Sequence, residues 1–180
     1  MKLGIVGSGG IVKEVLIALK PINTLEIQAI WVRPHSEAKG QALAQENNIP
    51  QLYTDYEAFL EQADIDTAYI GLVNSAHYEY AKKALLAGHN VIVEKPFGSN
   101  LREVQELVQL AKEKNLFLWE AVSLLHMPNF RKLRSYCQSL DLSAWYRPIT
   151  PSIPAAMTNI WRVQCCQPLI HSFLAVLCTI

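Results

Sequence analysis

Glycine residues near the N-terminus form the first group that could carry chemistry. The run Gly7-Ser8-Gly9-Gly10-Ile11 follows an apolar segment and precedes residues with helical spacing. One glycine permits a tight turn, a second lets the backbone approach a pyrophosphate, and the helix N-terminus offers free N–H groups to that anion. Val12 replaces the third glycine of this fingerprint, and a glycine turn can also simply connect a strand to a helix. The strand–turn–helix context favours dinucleotide binding.

The end of the next apolar segment bears on the choice of cofactor. Recognition of NAD normally uses an acidic residue about 20 residues after the glycines. Here the segment ends at Arg33, and no acid follows until Glu37. Arg33, with Lys39 nearby, could pair with the 2′-phosphate of NADP or stack on the adenine. It could also be an ordinary solvated residue. The pattern favours NADP over NAD.

Two further polar groups follow apolar segments in the same way. The first group lies at the end of the apolar segment 67–72 and just after it, and consists of Leu72, Asn74 and His77. These residues are predicted to contact the ribose or nicotinamide. Asn74 could instead be a turn residue, and His77 a surface histidine. Lys95 follows another and would place a cation near the nicotinamide, although a lysine there can be merely solvated. Pro96 could fix the bend through a cis bond.

Strand-like and helix-like segments alternate along the first 120 residues. Strands are predicted at 2–6, 27–32, 67–72, 90–93 and 116–119, and helices at 11–19, 36–47, 55–62, 75–87 and 101–114. Ser36, Ser75 and Asn100 are predicted N-caps. The alternation predicts an α/β fold with a doubly wound parallel sheet. Ligands of such sheets bind outside the carboxyl ends of the strands, where the polar groups should converge.

Four motifs in this order resemble those of the Gfo/Idh/MocA oxidoreductases. They are Gly7-Ser8-Gly9-Gly10-Ile11, Asn74-Ser75-Ala76-His77-Tyr78, Ala87-Gly88-His89-Asn90-Val91 and Glu94-Lys95-Pro96-Phe97. Trp119-Glu120-Ala121 resembles the segment that leads into the second domain of this family. The resemblance implies a Rossmann domain over residues 1–122 and hydride transfer between NAD(P) and a sugar- or polyol-like substrate. It also implies an α/β substrate domain, and a homo-oligomer.

The resemblance carries Lys95 over as the catalytic residue, and no metal is predicted. The predicted cofactor-binding residues are Gly7, Ser8, Gly9, Gly10, Ile11, Arg33, Leu72, Asn74, His77, Glu94, Lys95, Pro96 and Glu120.

The last third of the sequence differs in composition from the rest. Lysine does not recur after Lys132, and Asp141 is the only acid after Glu120. Because the family resemblance implies a substrate domain in this region, residues 123–180 are predicted to be an incomplete remnant of it. In a shifted reading frame, residues 141–179 permit strings that resemble that domain. This predicts a small insertion or deletion near residues 136–140, an out-of-frame tail from about residue 137, and a truncated, inactive enzyme.

The overall composition excludes several classes of protein. Sixteen basic residues balance sixteen acidic ones, so neither nucleic acid nor a membrane surface is an expected partner. The four cysteines lack the spacing of a zinc site. A cytoplasmic location is expected. Three alternatives remain: a non-catalytic, redox-sensing nucleotide-binding module, a methyltransferase-like fold, and an interaction protein without a small ligand.

Overall fold

A six-stranded parallel sheet forms the centre of the fold. The computed structural model describes residues 1–123, 127–130 and 132. The strands are β1 (Lys2–Val6), β2 (Glu26–Trp31), β3 (Gln51–Tyr53), β4 (Thr67–Ile70), β5 (Asn90–Glu94) and β6 (Leu118–Ala121). They lie in the order β3-β2-β1-β4-β5-β6. The chain winds outward from β1 in one direction and then in the other. The predicted doubly wound parallel sheet is confirmed, and its strand order reverses between β1 and β4.

Helices cover both faces of this sheet, as right-handed crossovers require. They are α1 (Gly10–Leu19), α2 (Glu37–Glu46), α3 (Tyr56–Gln62), α4 (Asn74–Leu86) and α5 (Leu101–Glu113), and a 3₁₀ turn at Pro34–Ser36 precedes α2. Side chains of α3, α4 and α5 share one core cluster with alternate residues of the strands, including Val6, Ile70 and Val93. The intervening strand residues, such as Ile5 and Tyr69, are fully buried on the opposite face.

The ends of several elements differ from the sequence prediction. Strand β3 was not predicted, because three residues after Pro50 are too short to show a periodicity. Helix α4 begins at Asn74, so the prediction of Ser75 as its N-cap is wrong. Ser36 occupies the N-cap position of α2 without a side-chain cap bond. The prediction of Asn100 is confirmed, since its side chain accepts the N–H of Glu103 at the start of α5.

Residues Met1–Ala121 form one compact unit. The predicted substrate-domain remnant at 123–180 lies almost wholly outside the described residues, as does the change of reading frame near residue 137. None of the described helices has the length and apolarity needed to cross a lipid bilayer. Within the same residues, no group of three or more His, Cys, Asp or Glu could hold a metal ion.

Candidate dinucleotide-binding site

The carboxyl ends of the strands lie side by side along one edge of the sheet, which we call the carboxyl rim. Cα partners in the register form a continuous row just before this edge: Trp31, Val6, Ile70, Val93 and Glu120. Each predicted site segment begins within a few residues of this row. The sheet therefore brings together groups that are up to 113 residues apart in the sequence, from Gly7 to Glu120.

The packing around the turn after β1 needs glycine at two positions, one in the turn itself and one just after β4. Gly7 has a φ of +118°, and a Cβ there would lie 2.7 Å from the carbonyl oxygen of Gly71. A Cβ on Gly71 would lie 2.7 Å from Cγ2 of Val12. In the dinucleotide fingerprint the third glycine permits close packing of helix on strand. Here Val12 stands at that position, and the glycine that makes room for it is Gly71, at the end of β4.

The N-terminus of α1 faces open space. Gly9 is the N-cap residue, with no side-chain cap, and a Cβ on Gly9 or Gly10 would meet no atom within 4 Å. The first N–H groups of a helix have no partner inside the helix. Together with the helix dipole, they favour an anion in front of them. This space is part of a cleft of about 400 Å³, and the residues of the turn that line it are Gly7, Ser8, Gly9, Gly10 and Ile11.

The other end of the same cleft carries basic and hydroxyl groups. It is lined by Arg33, His35, Ser36 and Lys39, from the segment between β2 and the first turn of α2. No carboxylate is among the described lining residues, and Glu37 does not take part. In the described part of the chain, neither Arg33 nor Lys39 forms an ion pair. The structure thus adds His35 and Ser36, which sequence reasoning missed although they stand between the two predicted cations.

Three side chains hold the backbone around Lys95. The Glu94 carboxylate accepts the N–H of Lys95 at 3.3 Å, and the Glu120 carboxylate accepts the N–H of Phe97 at 3.2 Å. His77 approaches the carbonyl of Pro96, and the Lys95–Pro96 peptide bond is cis, as expected. The side chain of Lys95 is exposed. Glu94 and Glu120 therefore support the segment that carries Lys95, where the sequence predicted contacts with a cofactor.

These residues fit a nicotinamide dinucleotide. The uncapped helix N-terminus suits a pyrophosphate, since the space beside Gly9 and Gly10 is free of protein atoms. Arg33 and Lys39 supply positive charge at the end of the cleft formed after β2. Lys95 lies on the same rim, after β5. These hydrogen-bond donors and positive charges suit a ligand that has a doubly charged pyrophosphate and, at another end, a further anionic or hydroxyl group.

Comparison with known proteins agrees with this geometry. Residues 1–122 match the model of the Gfo/Idh/MocA family, described as an oxidoreductase family with an NAD-binding Rossmann fold. The chain belongs to the Gfo/Idh/MocA oxidoreductase family. The family resemblance of the sequence motifs is thereby confirmed.

Individual relatives of this Gfo/Idh/MocA chain are dehydrogenases and reductases. It is 31% identical over 134 residues to trans-1,2-dihydrobenzene-1,2-diol dehydrogenase of Xenopus tropicalis, covering 74% of this chain and 41% of the relative. The human protein of that name is 33% identical over 135 residues, with 75% and 40% covered. The crystal structure of KijD10, a 3-ketoreductase from Actinomadura kijaniata, in complex with NADP and TDP-benzene, is 27% identical. Its TM-score is 0.72, with 77% of this chain and 42% of that chain covered.

The Gfo/Idh/MocA chain thus spans about two fifths of the length of the relatives it matches. The part that matches the family model contains all six strands and the whole cleft.

Residues after β4 have different surroundings in this family member. Leu72 lines the cleft, and Asn74 is exposed in the first turn of α4. The ring of His77 has 0% exposure, with Nδ1 2.7 Å from the Pro96 carbonyl oxygen and Nε2 3.0 Å from that of Leu72. His77 is therefore neither a surface histidine nor a direct contact for a cofactor, because burial leaves the ring no surface to offer.

Tyr69 is a supporting residue that the sequence did not reveal. Its hydroxyl donates to the Glu94 carboxylate at 2.8 Å, and both side chains are buried. Burial, together with the Glu94 charge, raises the pKa of this hydroxyl above its ordinary value of 10.0. The tyrosine therefore stays a hydrogen-bond donor to Glu94 over the whole neutral range. No sequence signal pointed to it, since Tyr69 and Glu94 are 25 residues apart on neighbouring strands.

Proposed function

We propose that this chain binds NADP(H) in the cleft between the glycine turn and Arg33, as the cofactor half of an NAD(P)-dependent oxidoreductase. The observation that carries the proposal is the single cleft that joins the uncapped N-terminus of α1 to Arg33 and Lys39. A pyrophosphate would lie at Gly9 and Gly10, and the adenosine end would lie near Arg33.

The preference for NADP over NAD rests on charge. Arginine binds phosphate through a rigid fork of donors, and lysine adds a point charge. Arg33 and Lys39 line the cleft without a neutralising carboxylate among its described residues, and the Ser36 hydroxyl adds a donor. A 2′-phosphate would meet these groups, whereas the ribose hydroxyl of NAD would leave the two charges without a counterion. The NADP in the complex of KijD10 is consistent with this proposal.

The substrate class is a small molecule with a hydroxyl or carbonyl group, such as a sugar or polyol. The names of the relatives, a dehydrogenase of a cyclic diol and a 3-ketoreductase, are consistent with this class. When bound, the nicotinamide ring supplies the acceptance or donation of hydride. Lys95 would bind the substrate oxygen or the ribose through its exposed ammonium group, which donates hydrogen bonds and stabilises negative charge on that oxygen.

The remainder of such an enzyme stays a prediction. The chain is proposed to have an incomplete substrate domain after residue 122 and an out-of-frame tail from about residue 137, and on that account to turn over slowly or not at all. Determining the gene sequence from the codon of Arg134 onward tests this directly. A restored frame that continues into a Gly-Gly segment would support it, and an intact frame would refute it. A homo-oligomer and a cytoplasmic location likewise stay predictions.

The proposal is tested by measuring dissociation constants for NADPH and NADH with the full chain. Arg33→Ala is expected to weaken NADPH binding by about 10- to 100-fold, the contribution of a charge-assisted contact. NADH binding should change by less than about threefold. Arg102 is exposed in the first turn of α5 and lies outside the cleft, so Arg102→Ala is the matched control and should leave both constants unchanged. Equal effects of Arg33→Ala on NADPH and NADH would refute the NADP preference.

Turnover decides between two functions. A mixture of the chain, NADP⁺ and a panel of sugars and cyclic diols is monitored for formation of NADPH. Turnover that Lys95→Met abolishes would support the oxidoreductase. Tight NADPH binding without turnover of any compound would favour the non-catalytic, redox-sensing module if the gene sequence shows an intact reading frame, because a shifted frame also accounts for the lack of turnover. No binding of either nucleotide would exclude both.

A further inference from the structure

We propose that His77 is a positioning residue, which ties the segment carrying Lys95 to the wall of the cofactor cleft. The proposal rests on the proposed function, because it concerns how that site is held together. Its basis is the position of one fully buried ring between two backbone carbonyls. Nδ1 lies 2.7 Å from the oxygen of Pro96, and Nε2 lies 3.0 Å from the oxygen of Leu72.

The two carbonyls belong to different parts of the site. Leu72 follows β4 and lines the cleft with Gly71 and Val73. Pro96 follows β5 and is bonded directly to Lys95. The ladder of backbone hydrogen bonds between β4 and β5 ends at the pair Ile70 and Val93. The His77 ring spans the gap past this point.

The chemistry of the ring suits a link between backbone groups. Carbonyl oxygens only accept hydrogen bonds, so a neutral imidazole donates to one of them and an imidazolium to both. Both nitrogens face protein carbonyls and the ring has 0% exposure, so neither is available to a ligand. His77 therefore acts on a ligand only through the segments that it connects.

Lys95 depends on such support. Its ammonium group forms no hydrogen bond or ion pair within the described residues, and its side chain is exposed. The point from which this flexible side chain extends is set by the contacts of the adjoining backbone. Glu94 and Glu120 hold N–H groups of this segment on the side of β5 and β6. Among the side-chain hydrogen bonds of the described residues, only those of His77 join it to a residue that lines the cleft.

The link itself is tested by hydrogen exchange in the full chain without nucleotide. His77→Leu removes both ring nitrogens at similar volume, and His77→Gln keeps an amide donor. His89→Leu is the matched control, because the Nε2 of His89 also contacts a backbone carbonyl, that of Leu60. His89 lies just before the start of β5, at the opposite end of the strand from the carboxyl rim. In His77→Leu, exchange of the Gly71, Lys95 and Phe97 amides should be about tenfold faster.

His77→Gln should restore most of the protection, and His89→Leu should leave these three amides unchanged. Unchanged exchange in His77→Leu would overturn the proposal. So would equal acceleration in His89→Leu, because the effect would then be a general loss of stability.

The functional consequence is tested by a double-mutant cycle on the dissociation constant of NADPH. Lys95→Met should weaken binding about tenfold in the parent chain, and less than about twofold in the His77→Leu background. Coupling of this kind is expected only if His77 acts through the position of Lys95. An equal effect of Lys95→Met in both backgrounds would overturn the proposal, as would the absence of any effect in the parent chain. If the parent chain binds neither NADPH nor NADH, the proposed function fails, and hydrogen exchange alone decides whether His77 links the segments.

Discussion

Gly7→Ala and Gly9→Ala add the same methyl group at two positions of one turn, and they should affect different properties: the first should lower stability and the second should weaken NADPH binding. At Gly7 the φ of +118° disfavours any residue with a Cβ, which costs about 1–2 kcal/mol. The new Cβ would also lie 2.7 Å from the backbone oxygen of Gly71, which cannot rotate away. Such overpacking typically costs about 1–3 kcal/mol more. Gly7→Ala should therefore destabilise the fold by about 2–5 kcal/mol.

Gly9→Ala should leave stability almost unchanged. Gly9 has a φ of −74°, and its Cβ would meet no atom within 4 Å. Alanine is a poorer N-cap than glycine by about 0.5 kcal/mol, and it restricts the unfolded chain by a similar amount in the stabilising direction. The methyl group would, however, occupy the space in front of α1. NADPH affinity should fall at least about tenfold.

Urea unfolding with and without NADPH measures both effects. At a hundred times the dissociation constant, the parent chain should gain about 2.7 kcal/mol, and a tenfold weaker variant about 1.4 kcal/mol at the same concentration. The reasoning is refuted if Gly7→Ala unfolds at the parent urea concentration. It is equally refuted if Gly9→Ala gains the full stabilisation from NADPH, because the anion would then lie elsewhere.

Three further predictions concern stability. Tyr69→Phe removes the 2.8 Å donor to the buried Glu94 carboxylate and should lower the free energy of unfolding by about 1–3 kcal/mol in urea titrations; no change would mean that water replaces the hydroxyl. Burial raises the pKa of both Tyr56 and Tyr69 above 10.0 in the folded state. Above about pH 10 the unfolded tyrosines lose protons that the folded ones keep, so stability should fall by about 1.4 kcal/mol per pH unit for each tyrosine, and Tyr56→Phe should reduce that slope in unfolding curves. Asn100→Ala removes the cap of α5 and should cost about 1 kcal/mol by thermal unfolding, and an unchanged midpoint would contradict the role of this cap.

The sequence was sufficient for features that depend on short stretches of chain. The glycine turn after an apolar strand, the alternation of strands with helices, and the N-cap at Asn100 all follow from local sterics and hydrogen bonding. They predicted the parallel sheet, and the resemblance of the ordered motifs predicted the family. The prediction failed at the boundary of one helix and at one short strand. Helix α4 begins at Asn74 rather than after Ser75, and β3 was too short to leave a pattern.

The tertiary structure decided how the predicted site residues work. The sequence treated His77, Glu94 and Glu120 as contacts for a cofactor. In the fold their side chains contact the backbone of the segment that carries Lys95, and cofactor contacts of Glu94 and Glu120 stay predictions. It also supplied Tyr69, whose partner Glu94 is 25 residues away, and Gly71, which makes room for Val12, 59 residues away. Residue types along a chain reveal which groups can bind a dinucleotide, because that capacity is chemical and local. Which groups face the ligand and which hold the others depends on the register of neighbouring strands, and distant residues meet only once the sheet has formed.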